Sequence, residues 1–95
     1  MILARVAGTV VANRRVDGVQ GPAFLLVRPC TARGVPSGDA MVALDAVGAG
    51  IGEVVLVSQG PSARQTAVSD KKPIDALICG IVDAVDEHGT VVFKK

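Results

Sequence analysis

Aromatic side chains are nearly absent from this chain: of its 95 residues two are phenylalanine, and none is tryptophan or tyrosine. Proteins that grip single-stranded nucleic acid stack bases on aromatic rings along a positive groove. Phe24 and Phe93 both sit inside apolar runs, so each reads as core rather than as a stacking platform. Charge of one sign is missing as well. Ten Lys and Arg stand against nine Asp and Glu, a net charge of +1, which leaves no field to draw in nucleic acid or an anionic membrane. No apolar run approaches the ~20 residues of a membrane span. The opening MILARVAGTV carries Arg5 and has no small-residue cleavage site behind a continuous apolar stretch, so it does not read as a secretory leader.

Reactive residues are scarce too. The single histidine, His88, falls in a turn-like Glu87-His88-Gly89, whereas general acid–base work needs a base held in place by a partner. Cys30 and Cys79 lie in apolar, strand-like runs, where free cysteine behaves as a small hydrophobe. No C-x-x-C or H-x-x-x-H spacing occurs, so neither a metal nor another cofactor is expected. Asp83, Asp86 and Glu87 gather at a strand end and turn, where a solvated cluster is the ordinary reading. The expectation is a chain that is not an enzyme, in a reducing cytoplasm.

Small apolar residues, by contrast, are plentiful. Hydrophobic residues make up 49% of the chain, a high share for a single domain spanning 1–95, which by size buries roughly 60–70% of its unfolded surface. With so few aromatics the core must be Val, Ile, Leu and Ala. The apolar excess points to burial against another copy.

Segments rich in β-branched residues and separated by turn signals dominate the pattern. Residues 2–12 read as a strand with Gly8 as a bend or bulge, and Asp17-Gly18 as the turn behind it. AFLLVRPC (23–30) reads as a second strand whose Pro29 belongs at an edge. TARGVPSGD is a loop by composition. MVALD (41–45) is a short third strand, and EVVLVSQ (53–59) a fourth, apolar enough to be buried on both faces. Gly60-Pro61 stops it, and Ser62–Gln65 has the start signal of a short helix. IDALICGIVDAVD (74–86) fits helix or strand by periodicity, but Gly80 and its β-branched residues favour one long strand. A hairpin turn at 87–89 leads into TVVFK. Six strands and one short helix predict a mainly β, OB-like barrel, closed or partly open. That shape keeps an OB-fold single-stranded nucleic-acid-binding module as the alternative to an assembly protein.

The densest motif is DAVGAGIGEVVLVSQGPSAR (45–64). Glycines at 48, 50 and 52 suggest a phosphate loop, but such a loop comes after a strand and opens a helix, and this one precedes a strand and ends in Glu53. Two readings remain for the glycines. They turn the chain inside one barrel, or they let neighbouring subunits approach closely.

From end to end the chain resembles the pentameric vertex proteins of bacterial microcompartment shells, the EutN/CcmL family. Four stretches carry the likeness: MILARVAGTVVAN, FLLVRPC, DAVGAGIGEVVLVSQGPSAR and PIDALICGIVDAVD. Pro61 departs from the small polar residue common there, a change that the first turn of a helix tolerates. The resemblance implies an OB-like barrel assembled as a homopentamer. It implies a structural role at the vertices of a cytoplasmic polyhedral shell, beside hexameric and trimeric shell proteins, without nucleic acid or membrane as partners. It favours the close-approach reading of Gly48, Ala49 and Gly50. It also makes Glu53, Ser58, Gln59, Gly60, Ser62 and Arg64 interface or pore-rim candidates, with Arg64 facing an acid such as Asp45 or Glu53 across the interface.

Overall fold

The computed structural model describes residues 1–12, 23–60 and 75–95. Strands β1 (Ile2–Val10), β2 (Phe24–Pro29), β3 (Met41–Asp45), β4 (Val54–Gln59) and β5 (Ala76–Ile81) close into a barrel in the order β1-β2-β3-β5-β4. All neighbours are antiparallel except β3 and β5. Strands β6 (Ala84–Glu87) and β7 (Thr90–Lys94) form a separate two-stranded sheet.

Alternation along each strand decides what fills the barrel. Ala4 and Val6 of β1, Leu25 and Val27 of β2, Ala43 of β3, Val55 and Val57 of β4, and Ile78 of β5 turn inward and form one buried cluster. A five-stranded barrel is narrow, so its lumen is filled by side chains and favours valine and alanine over aromatics. The paucity of aromatic residues and the fold are therefore one fact. Residues of opposite parity build a second cluster on the outer wall, where Leu44 and Leu77 are buried with Phe24 and Cys79 packed against them. Both Phe24 and Cys79 are thus packing residues, as their apolar surroundings in the chain suggested.

The bend expected at Gly8 is a register shift between Val6 and Gly8 in the β1–β2 ladder. Pro29 ends β2 just past the last β2–β3 pair, Val27 with Met41. Its missing N–H lies on that side, since Cys30 N–H donates to Leu3 O on the other. The fourth strand is buried on both faces as expected: Val55 and Val57 inside, Val54 and Ser58 outside but covered. A second bulge, between Leu56 and Val57, leaves Cys79 of β5 without a ladder partner, its Sγ 3.6 Å from Leu56 O.

Two expectations are corrected. The run 74–86, described from residue 75, is not one long strand, and among the described residues the barrel has five strands, not six. After Ile81 the Val82 N–H donates to Val54 O and the Val82 side chain is buried. Asp83 then turns the chain out of the barrel, its carbonyl accepting from Lys95 N–H. The chain next enters the β6–β7 hairpin, whose tight turn places His88 at φ 55° and Gly89 at φ 79°. Two successive positive values suit the twist of a two-residue hairpin. The expected turn at Asp17-Gly18 and the helix at Ser62–Gln65 lie outside the described residues.

Candidate subunit-contact site

The glycine-rich turn hangs from its two acidic ends. Asp45 closes β3, and its Oδ1 accepts from the backbone N–H groups of Val47, Gly48 and Ala49 at 3.1, 3.1 and 3.2 Å. Its Oδ2 accepts a second time from Ala49, at 3.0 Å. A short side-chain acceptor catching successive N–H groups is the ordinary way an aspartate shapes a turn. At the other end Glu53 Oε1 accepts from Gly50 N–H at 2.6 Å, and Oε2 is paired with Lys95 Nζ. Gly52 N–H and Val6 O, then Val6 N–H and Glu53 O, stitch the turn to β1 beside its bulge.

Each glycine has a local reason. Gly48 and Gly52 adopt φ 74° and 88°, which L side chains enter at a cost. Gly50 does not, but a Cβ there would stand 3.3 Å from Glu53 Oε1. The turn's internal geometry therefore accounts for Gly48 and Gly52 without a neighbour, whereas at Gly50 it asks only that the Glu53 side chain give by a few tenths of an ångström. Ala49 tucks against the barrel core, whereas Ile51 is 70% exposed and Val47 39%. The large apolar residues this turn offers to solvent are Val47 and Ile51, neither of them singled out by the glycine spacing.

The remaining candidates do not converge on one spot. Glu53 and Gly60 bracket β4, so Gly48, Ala49, Gly50 and Glu53 stand at one end of the barrel and Ser58, Gln59 and Gly60 at the other. At the strand rise that is on the order of 20 Å. Ser58 is buried, Gln59 Nε2 lies 3.7 Å from Met41 Sδ, and Gly60 N–H donates to Asp75 O at 2.7 Å. Ser62 and Arg64, with the pairing of Arg64 to Asp45 or Glu53, lie outside the described residues.

One contact no spacing announced joins the hairpin to the barrel. Arg5 of β1 lays its guanidinium over the Phe93 ring, 5.7 Å from the centroid. Gly34, buried at φ 81°, comes so near that a Cβ would sit 2.6 Å from Arg5 Nη2 and 2.9 Å from Phe93 Cδ1. The only advance signal was Gly34 itself, inside a polar loop.

Chemically the described surface is quiet. Both cysteines are unpaired thiols. Burial pushes the Cys30 thiol up, against a smaller opposing pull from Arg5, the reverse of an activated nucleophile. His88 stands out in solvent 4.0 Å from Glu87. Among the described residues no three of His, Cys, Asp or Glu converge as metal ligands, and no helix is long and apolar enough to cross a membrane.

Residues 1–83 match the family model described as ethanolamine utilisation protein EutN/carboxysome. The chain is 44% identical over 95 residues to the bacterial microcompartment shell vertex protein EutN of Salmonella typhimurium, covering all of this chain and 96% of that one. The solved CcmL of Gloeobacter violaceus shares 41% identity and a TM-score of 0.93, over all of this chain and 98% of the other. The GrpN pentameric microcompartment shell protein from Rhodospirillum rubrum shares 42% identity and a TM-score of 0.83, over 92% of this chain and 99% of its own. With barrel, glycine turn and full-length likeness in agreement, the chain belongs to the EutN/CcmL family.

Proposed function

We propose that five copies of this chain form a ring that caps the vertices of a polyhedral bacterial microcompartment shell in the cytoplasm. The observation that carries this reading is likeness along the whole chain, in sequence and fold, to a protein solved as a pentameric shell component and to proteins named for the shell vertex. Geometry supplies the need. A sheet of hexagonal tiles is flat, and closure into a polyhedron takes five-fold units at its corners. A five-membered ring is held by a heterologous contact, one flank of each copy against a different flank of the next.

The part played is structural, without catalysis. Neighbours at the rim of the ring are the hexameric and trimeric shell proteins. The 46–52 turn, held rigid by Asp45 and Glu53 and presenting Val47 and Ile51, lies in the contact between copies. Ser58, Gln59 and Gly60 belong to the opposite end of the ring. The nucleic-acid alternative loses support because both aromatic rings are engaged in the fold, Phe24 against Leu44 and Leu77, Phe93 under Arg5.

Co-expression with a hexameric shell protein tests the role. With this chain present, electron microscopy should show closed polyhedra, and without it open sheets or tubes. Closed shells of equal number in both cases would refute it.

A further inference from the structure

The β6–β7 hairpin is a two-stranded sheet standing off the barrel, and such a hairpin alone in water is marginal. Its own chain secures one face only. Phe93, opposite Val85 in the register, turns toward Arg5. The other face carries the next pair, Asp86 opposite Val91. Val91 is 57% exposed, and Asp86 is exposed with no ion-pair partner among the described residues.

A complementary patch lies elsewhere on the barrel. On the outer wall of β2 and β3, Leu26 pairs with Val42, which is 49% exposed. Arg28, two residues along β2 on the same face, is exposed and makes no ion pair among the described residues, only a 3.5 Å contact to Gly38 O. Each patch thus sets one exposed valine beside one uncompensated charge, and the charges are opposite in sign. The hairpin is anchored at the seam of β1 and β4, through Arg5 and Val54; Arg28 stands opposite Arg5 in the β1–β2 register, and Val42 lies one strand further round, on β3. Asp86 and Arg28 form no ion pair with each other among the described residues, which leaves each charge to meet its opposite on another copy.

We infer that the β6–β7 hairpin is the arm that joins one copy of this chain to the next, Asp86 and Val91 of one copy docking on Arg28 and Val42 of its neighbour. The inference rests on the proposed five-membered ring. Lost exposure of the two valines supplies the apolar core of the contact, and the ion pair sets its register and excludes like-charged approaches.

Charge reversal tests it, with assembly read by light scattering and folding by far-UV circular dichroism. Asp86→Arg or Arg28→Glu alone should weaken assembly ~10-fold or more, and the two together should restore it. A second readout does not depend on charge. A chain carrying both Val91→Cys and Val42→Cys should give an oxidised ladder of up to five copies on a denaturing gel, and neither single variant should do so. Reversals that leave a ring intact, a double variant that stays dissociated, or no ladder would overturn the docking assignment while leaving the ring. An unaltered protein that is monomeric would instead remove the ring reading, and this contact with it.

Discussion

Lys95 and Glu53, 42 residues apart, form an ion pair that ties the end of the hairpin to the glycine turn, Lys95 Nζ donating to Glu53 Oε2. The pair lowers the Glu53 carboxyl below its usual range, chiefly through the Lys95 hydrogen bond and then through Gly50 N–H. It raises Lys95 for the same reason. A lowered carboxyl contributes stability that is present above its unfolded pKa and lost as pH falls through the folded one. A raised lysine contributes stability that is full below its unfolded pKa and lost as pH rises through the folded one. The clasp should hold across neutral pH and open at both extremes. Protection of the Lys95 and Gly50 amides, taken relative to the intrinsic exchange rate at each pH, should fall on acidification through the carboxylate range, and Glu53→Gln should flatten that acid limb.

Asp45→Ala strands three N–H groups that now share one carboxylate. A cost of about 2 kcal/mol is expected, less for Asp45→Asn, which keeps one oxygen. Denaturant unfolding measures it, monitored by circular dichroism because the chain has no tryptophan or tyrosine. Protein concentration must be held fixed, since assembly shifts apparent stability.

Two glycines with similar backbone angles should respond differently. Gly48→Ala meets open space at φ 74° and should cost about 1 kcal/mol. Gly34→Ala adds to a similar φ a collision with Arg5 and Phe93, and should cost roughly 3 kcal/mol. The same melts, run side by side, rank them. Equal losses would mean that the Arg5–Phe93 contact yields freely.

Ile78 is fully buried in the barrel core, so Ile78→Ala should destabilise by roughly 2–5 kcal/mol through lost transfer energy and an unfilled cavity. In a lumen this narrow, Ile78→Phe should also destabilise, by overpacking.

How much of the fold was legible depends on distance along the chain. MVALD was readable as a strand because its bounds are local, and Gly8 as a bend because a glycine in a β-branched run has few other uses. The 74–86 run misled because strand propensity continues across Val82 and Asp83. The pairing with β4 ends after Val82, whose N–H still bonds to Val54 O; Asp83 O accepts from Lys95 N–H instead, a contact no local pattern contains. The hairpin turn at 87–89 and the last strand behind it were recognisable, the separate sixth strand was not, and nothing local says which sheet a hairpin joins. The Lys95–Glu53 pair and Arg5 over Phe93 were invisible for the same reason. The glycine motif located its turn well, but the spacing could not separate glycines needed for φ from glycines needed for a neighbour.

The mass of the protein in solution tests the central claim most directly. Light scattering on a sizing column should give a single species of five chain masses that persists on dilution to low micromolar concentration. A monomer under those conditions would contradict the vertex account and leave an OB-like barrel whose exposed valines need another explanation.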